Sequence, residues 1–161
     1  MKTLVTGGNG RFASQLKKYL NGDYLGKNEL DLGNIKDIAK LSEYDCVIHT
    51  ATGTPSVNQN LLFLIYKTKA KKVFLFTSKQ GTFLNWKQPG NMMYGIEKLV
   101  MNFMIYRFNM EHENCQLVEP GHMGTEQDYD TMAQKFKNYI DTWKYSKNQI
   151  YDLARDRFIA Y

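Results

Sequence analysis

Short apolar segments alternate along the chain with longer segments in which apolar residues recur every three or four positions. The apolar segments have the length of buried strands, and we expect strands at 2–6, 45–50, 73–77 and 116–119. The longer segments have the spacing of one helix face. The pattern therefore predicts helices at 11–20, 57–66, 92–108, 129–143 and 148–158.

Strands that alternate with helices indicate βαβ units and a parallel sheet covered by helices. The region 21–32 is the weakest part of this pattern, because only Tyr24 and Leu25 offer a strand and no helix fits directly after them. A chain of 161 residues without repeats, low-complexity segments or linkers suits one domain. We therefore predict a minimal α/β domain over 1–161, with no separate substrate domain.

The composition is that of a globular protein, with 43% apolar and 23% charged residues. No apolar run approaches the roughly 20 residues of a membrane helix, and the chain opens on a strand-like segment rather than on a signal peptide. Cys46 and Cys115 fall in strand-like segments, where we expect buried, reduced thiols. These features predict a cytoplasmic protein without a membrane segment.

The formal net charge is +5, and lysines gather between positions 67 and 72, just before an apolar strand. This position favours a solvated turn over a nucleic-acid surface, and mild positive charge would help to attract an anionic cofactor. His49, His112 and His122 are scattered, and no Cys/His cluster has metal-ligand spacing. We expect neither a nucleic-acid partner nor a metal site.

A glycine-rich turn, TGGNGRFA at 6–13, joins the first strand to the first helix. Such a turn lets the backbone approach a pyrophosphate, and the following helix N-terminus offers N–H donors. Gly7 and Gly10 stand where the tight turn and the close approach require glycine, and Ala13 suits close packing of helix on strand. The alternative is an ordinary turn, but the position of the motif at the first strand favours dinucleotide binding.

Tyr94 and Lys98 are four residues apart in YGIEK, so they would lie one turn apart on one face of the predicted 92–108 helix. Hydride transfer to a carbonyl leaves an alkoxide, which needs a proton donor in place. A phenol has a pKa near ~10, and a neighbouring ammonium lowers that pKa. Ser78 ends a predicted strand, where ligands of parallel sheets bind. These residues are candidates for a proton-transfer site, with surface residues and a structural serine as the alternatives.

Six motifs follow one another along this α/β pattern: TGGNGRFA, LDL at 30–32, HTAT at 49–52, FTS at 76–78, YGIEK, and PGHMGT at 120–125. In this order they resemble the motifs of the short-chain dehydrogenase/reductase family over most of the chain. GKNELDLGN is most similar to the dTDP-4-dehydrorhamnose reductase branch of the extended, nucleotide-sugar-modifying group. The resemblance implies a Rossmann-type doubly wound sheet and an NAD(P)(H)-dependent oxidoreductase.

The resemblance also implies a role for each motif residue. Ser78 would bind the substrate carbonyl, Tyr94 would transfer the proton, and Lys98 would bind the nicotinamide ribose and lower the tyrosine pKa. Thr125 would contact the nicotinamide amide. The other implied cofactor contacts are Gly7, Asn9, Gly10, Arg11 and Phe12 around the pyrophosphate, Asp31 and Leu32 at the adenine, Thr50, Ala51 and Thr52 at the ribose, and Pro120 and Gly121 before Thr125.

Cofactor choice depends on the end of the second strand, where an acid would bind the ribose hydroxyls of NAD and a base the phosphate of NADP. The chain has Lys27 there and no acid before Glu29, while Arg11 adds positive charge after the glycine turn. We therefore expect NADP(H) to be favoured over NAD(H). Asp31 has an alternative role as a loop residue that caps the turn at 34–40.

The chain is shorter than most members of this family, and 126–161, predicted to be mostly helical, cannot build a substrate domain. A small carbonyl or alcohol is therefore the expected substrate. Three alternatives stay open: a dinucleotide-binding sensor without turnover, a nucleotide-sugar epimerase or dehydratase-like protein, and a scaffold that keeps only the fold.

The predicted 92–108 helix is apolar on more than one side. A helix of this kind must bury more than the side that faces its own sheet. We expect it to pair with its copy in a homodimer, as in related reductases. The apolar stripe consists of Ile96, Leu99, Val100, Phe103 and Met104.

Overall fold

The computed structural model describes residues 1–38, 43–50, 70–77, 92–108, 114–121, 123–144, 146 and 149–160. Within these ranges a seven-stranded sheet carries helices on both faces. The strands are β1 Thr3–Thr6, β2 Asp23–Leu25, β3 Cys46–His49, β4 Lys72–Phe76, β5 Cys115–Glu119, β6 Gln149–Asp152 and β7 Arg157–Ala160. The helices are α1 Arg11–Leu16, α2 Ile35–Ile38, α3 Met92–Phe108 and α4 Glu126–Thr142.

The strand order is β2-β1-β3-β4-β5-β6-β7, and all neighbours are parallel except β6 and β7. Thr6 pairs with both Leu25 and His49, so three strands end level at one edge of the sheet. The order reverses at β1, because β2 lies on one side of it and β3 on the other. This confirms the predicted doubly wound sheet, in which ligands bind beside the reversal.

The sheet is buried on both faces, which is why its strands are continuous apolar runs. On one face, α1 and α4 pack together over an aromatic cluster in which the Phe74 and Phe136 rings meet edge to face, 5.4 Å between centroids. On the other face, α3 contributes Met101 to a mainly aliphatic cluster. Cys46 and Cys115 are free and buried, and burial raises the pKa of Cys46 to about 12.

Several helix boundaries differ from the predicted ones. α3 agrees at both ends, but α1 stops at Leu16, because the next residues form a tight turn. α4 begins at Glu126 instead of 129, because Thr125 and Asp128 form a capping box in which each side chain accepts the other's backbone N–H. The helix predicted at 57–66 lies outside the described residues.

The prediction of a helix at 148–158 is wrong, because these residues form the β6–β7 hairpin. Ile150 and Tyr151 join opposite faces of the sheet, which is the period of a strand. The connecting turn includes Asp156 with φ +52°, and the Tyr151 hydroxyl donates to its carboxylate. A short apolar run suits either kind of element, and here parallel pairing with β5 stabilises the strand.

The turn after β1 passes very close to β2. The Gly8 N–H donates to the Leu25 carbonyl at 3.0 Å, and a Cβ on Gly8 would lie 2.5 Å from the Tyr24 carbonyl carbon. A Cβ on Gly10 would meet only the Gly7 carbonyl oxygen, at 3.1 Å. Because the atoms facing Gly8 belong to a paired strand, the fold itself requires glycine at this position.

Replacing Gly8 by alanine should therefore lower the free energy of unfolding by about 2–3 kcal/mol, the cost of forcing an atom into packed structure. The matched variant Gly10→Ala should lose about 1 kcal/mol or less, since it only weakens a helix N-cap. Urea denaturation of both variants measures the difference. Equal losses would show that the turn does not depend on the close approach of Gly8 to β2.

Candidate functional site

A cleft of about 240 Å³ opens at the sheet edge where β1 and β3 end, beside the reversal of strand order. The glycine turn, the ends of β3 and β4, the buried face of α3 and the turn after β5 contribute its walls. The cleft therefore brings together residues that are far apart in the sequence, from Gly10 to Tyr129. The described lining residues are Gly10, Arg11, Phe12, Ala13, Thr50, Phe76, Thr77, Lys98, Pro120, Met123 and Tyr129.

The glycine turn forms one wall of this cleft. Gly7 has a left-handed backbone with φ +74°, and its carbonyl accepts from the Gly10 N–H at 2.8 Å. Gly10 is extended and occupies the N-cap position of α1, without a side chain. Behind it, the Phe12 ring packs on the Phe76 ring with centroids 4.6 Å apart. This packing anchors the start of α1 on β4, while Gly10 and Arg11 line the cleft.

Lys98 reaches the same cleft from α3. Its ammonium donates to the Phe76 carbonyl at 2.9 Å, and only 5% of the residue is exposed. A buried ammonium must be hydrogen-bonded, and the last carbonyl of β4 serves as an acceptor. Tyr94 precedes Lys98 by one helical turn, but its side chain lies outside the described part of the structure. Ser78, which follows Thr77, also lies outside it.

Buried polar side chains continue from Lys98 along the edge of the sheet. The Thr77 hydroxyl donates to Oδ1 of Asn102, one turn after Lys98 on α3. The Thr6 hydroxyl and His49 Nδ1 are in hydrogen-bond contact at 2.7 Å. Burial, reinforced by the positive charge of Lys98, lowers the pKa of His49 to about 3. The imidazole is therefore neutral at physiological pH.

The turn after β5 closes another side of the cleft with Pro120. Gly121 has φ +85°, and its N–H donates to the Glu119 carboxylate at 2.9 Å. A Cβ there would lie 2.8 Å from that of Ala154, so two constraints favour glycine. Thr125 is exposed and its hydroxyl caps α4. Its predicted contact with a nicotinamide amide stays a prediction.

The loop after β2 brings an acid back to the end of that strand. The Glu29 carboxylate accepts from the Gly26 N–H at 2.6 Å, close to the exposed side chain of Lys27 in sequence. The Asn9 side chain lies over Gly26, where a Cβ would come within 2.3 Å of its amide nitrogen. Glu29 follows the end of β2 in the sequence, and the turn at Gly26 brings its carboxylate back to that strand end.

Asp31 and Leu32 have structural contacts of their own. The Asp31 carboxylate accepts from the Gly33 N–H at 2.9 Å, a hydrogen bond within its own turn. Its alternative role as the cap of the turn at 34–40 stays a prediction. The Leu32 side chain is buried in the aliphatic cluster. Contacts of either residue with an adenine stay predictions.

The structure gathers six of the predicted cofactor residues at the cleft: Gly10, Arg11, Phe12, Thr50, Lys98 and Pro120. Ala51 and Thr52 lie outside the described residues. The remaining predicted residues are described but are not among those that line the cleft: Gly7, Asn9, Lys27, Asp31, Leu32, Gly121 and Thr125.

Sequence reasoning missed several residues of the site. Thr77 stands inside the FTS motif and Met123 inside PGHMGT, so both were within reach of the motif analysis. Tyr129 enters the cleft from the first turns of α4, whose start was placed too late. Asn102 continues the four-residue spacing of Tyr94 and Lys98, which is the signal that could have identified it.

The charge of the cleft suits an anion. Among its described lining residues, Arg11 and Lys98 are cationic and none is acidic. A concave site lined by one sign of charge concentrates ligands of the opposite sign. Within the described ranges, no three His, Cys, Asp or Glu side chains come together to hold a metal ion. The helices of those ranges include none long and apolar enough to cross a membrane.

The neutral His49 predicts a pH dependence of stability. Below pH 6.5 the unfolded chain binds a proton that the folded chain excludes until about pH 3. His49 should therefore lower the unfolding free energy by up to about 1.4 kcal/mol per pH unit across this window as the pH falls. The free energy of unfolding can be measured by urea denaturation at about pH 7.5, 6.5 and 5.5, values around the unfolded-state pKa. As the pH falls, it should decline less steeply for His49→Gln than for the wild type. Parallel profiles would contradict a buried neutral histidine.

Solved structures share this architecture. A GDP-mannoheptose C4 reductase from Campylobacter jejuni with NADP bound aligns with a TM-score of 0.59 at 19% identity, over 73% of this chain and 47% of that one. A GDP-L-fucose synthetase from Naegleria fowleri bound to NADP aligns with 0.58 at 21% identity, over 73% of this chain and 49% of that one. The protein lin1944 from Listeria innocua aligns with 0.61 at 16% identity, over 86% of this chain and 92% of that one.

The chain thus spans about half the length of the two sugar-nucleotide enzymes, 47% and 49%, and nearly all of the Listeria protein. No protein-family model and no curated protein matches its sequence. Identities of 16 to 21% establish likeness of fold. The chain therefore has the Rossmann-type α/β fold found in nucleotide-sugar reductases and epimerases.

Proposed function

We propose that the protein is an NAD(P)(H)-dependent oxidoreductase of the short-chain dehydrogenase/reductase type. It transfers hydride to or from a small carbonyl or alcohol, with Ser78, Tyr94 and Lys98 as its catalytic residues. The observation that carries this proposal is the position of Lys98. Its buried ammonium and the glycine turn, separated by more than eighty positions in the sequence, line one cleft.

The residues of the cleft fit a dinucleotide. The backbone of Gly10 and Arg11, without a side chain at Gly10, would hold the pyrophosphate, and the Arg11 guanidinium adds positive charge. Lys98 would donate to the nicotinamide ribose from the opposite wall. Pro120 and Met123 would close the site against water on the side of the turn after β5. Solved structures of the same fold with NADP bound support this assignment.

The bound cofactor would supply the hydride, and the chain would handle the proton. Tyr94 precedes Lys98 by one helical turn, a spacing at which a phenol would lie close enough to the ammonium to be affected by its charge. At that distance the charge would favour the phenolate and would make proton exchange with the substrate oxygen easier at physiological pH. Ser78, next in sequence after the buried Thr77, would hydrogen-bond that oxygen.

NADP(H) is the favoured cofactor in this proposal. Arg11 in the cleft and Lys27 after β2 provide the positive charge that a ribose phosphate needs. The Glu29 carboxylate opposes this preference, because it lies beside the end of β2. The Gly26 N–H donates to one oxygen of this carboxylate. The preference between the two cofactors therefore depends on the charges of Arg11, Lys27 and Glu29 together.

Two other functions use the same cleft. A dinucleotide-binding sensor without turnover would need the glycine turn and Arg11, and it would not depend on a proton-transfer pair. An epimerase or dehydratase-like protein would keep its dinucleotide through purification, and one neighbour in fold is a UDP-N-acetylglucosamine 4-epimerase from Bacillus cereus. The buried Lys98 favours the oxidoreductase over the sensor, since a sensor has less need of a proton-transfer site.

A homodimer through α3 completes the proposal. The side of α3 that faces the sheet presents Lys98, Met101 and Asn102. Phe103 lies on the outside with 64% of its surface exposed, and Val100 beside it is half-buried. An exposed aromatic residue in an apolar stripe is typical of an interface.

Fluorescence titration tests the cofactor site. Wild type should bind NADPH more tightly than NADH, and Gly10→Asp should bind neither, because it places a carboxylate where the pyrophosphate would lie. Gly10→Asn is the matched control, since it has nearly the same shape without the charge and both residues are good helix N-caps. It should retain more affinity than Gly10→Asp. Wild type that binds neither dinucleotide would leave only the fold, and tighter NADH binding would reverse the cofactor preference.

Light scattering at micromolar concentration tests the dimer. Wild type should have twice the monomer mass of 18.8 kDa, and Phe103→Glu should give monomers, because a carboxylate would be buried in the apolar interface. Phe158→Glu, which changes another exposed aromatic residue on β7, should stay dimeric. A monomeric wild type would refute the interface.

A further inference from the structure

The buried side of α3 is joined to the end of β4 by two polar contacts, one to the last strand residue and one to the residue that follows it. The Lys98 ammonium donates to the Phe76 carbonyl at 2.9 Å. One helical turn further, Asn102 Oδ1 accepts from the Thr77 hydroxyl. Lys98, Asn102 and Thr77 are all nearly inaccessible to solvent. We call these two contacts the α3–β4 clamp.

The strand side of the clamp is rigid. The Thr77 N–H donates to the Val118 carbonyl at 2.8 Å, which extends the ladder between β4 and β5 beyond Phe76. On the helix side, the lysine side chain is long and has several rotatable bonds, whereas the asparagine side chain is short. The Thr77–Asn102 hydrogen bond therefore fixes the position of α3 along β4 more firmly than the hydrogen bond of Lys98 does. Met101, between them, supplies apolar packing without direction.

We propose that Asn102 is a positioning residue for Lys98. Its hydrogen bond with Thr77 holds α3 at the position along β4 that keeps the Lys98 ammonium at the end of the strand, in the cleft that the glycine turn also lines. The inference rests on the proposed function and adds a residue that acts through Lys98 without touching the cofactor. Asn102 is not among the residues that line the cleft, whereas Thr77 and Lys98 are.

A positioning role makes a prediction that a general structural role does not. Lys98 would serve the nicotinamide-ribose half of the dinucleotide, whereas residues other than Lys98 would hold the adenosine half. Loss of the Asn102 hydrogen bond should therefore weaken NADPH and leave 2′,5′-ADP, which lacks the nicotinamide half, unaffected. A loosened fold would weaken both ligands.

The test uses Asn102→Leu, which removes the acceptor at similar volume. It should weaken NADPH binding about tenfold and change 2′,5′-ADP binding less than about twofold. Met101→Leu is the matched control, a volume-conserving change at the neighbouring buried position, and should bind both ligands as the wild type does. Urea denaturation of each variant establishes that it is folded.

A double-mutant cycle with Thr77→Val isolates the hydrogen bond. If the two residues act through one bond, Thr77→Val with Asn102→Leu should bind NADPH no more weakly than Thr77→Val alone. The double variant also removes donor and acceptor together, so it should fold even if Asn102→Leu does not. Losses of NADPH affinity that add independently in the two variants would overturn the inference. So would an Asn102→Leu protein that loses affinity equally for NADPH and 2′,5′-ADP, or a folded one that binds NADPH as the wild type does. Wild type that binds neither ligand would instead overturn the proposed function itself.

Discussion

A lysine ammonium buried between a helix and the end of a strand must be hydrogen-bonded, and this requirement organises the edge of the sheet. Lys98 meets it at the Phe76 carbonyl, which fixes α3 relative to β4. The same placement brings its charge to the cleft formed by the glycine turn. Burial lowers the pKa of His49, and the positive charge of Lys98 adds to this effect. The chemistry of the cleft and the packing of α3 therefore depend on one contact.

The two faces of the sheet differ in what holds their helices. On the face of α1 and α4, aromatic rings pack closely, and the ion pair of Lys18 with Asp130, at 2.9 Å, lies at the surface. On the face of α3, buried hydrogen bonds at Lys98 and Asn102 add direction to apolar packing. Apolar packing alone is not directional. Buried hydrogen bonds specify one arrangement, which a site that must orient reactants requires.

Much of the fold could be predicted from local patterns. Buried parallel strands are apolar along their whole length, so β1, β3, β4 and β5 were recognisable as short apolar runs. The hairpin β6–β7 was not, because Ile150 and Tyr151 in a short run suit a helix as well as a strand. Its pairing with β5 is a contact between distant parts of the sequence, which periodicity does not encode.

The site was predictable to the extent that it is made of motifs. Gly10, Arg11 and Lys98 were identified because their spacing carries a chemical meaning, and the fold then brings them together. The return of the Glu29 carboxylate to the end of β2 depends on the turn at Gly26, which the sequence pattern did not reveal. Asn102 was missed because its importance arises from a partner on another element, Thr77. Such side-chain contacts follow from the tertiary arrangement and not from the order of residues.

In the proposed function, one dinucleotide spans the cleft from the glycine turn to Lys98. A crystal structure of the wild-type protein grown with saturating NADPH tests it most directly. We predict electron density for the pyrophosphate against the backbone of Gly10 and Arg11, and the nicotinamide ribose within hydrogen-bond distance of the Lys98 ammonium. A cofactor bound elsewhere, or one whose ribose does not approach Lys98, would contradict the account.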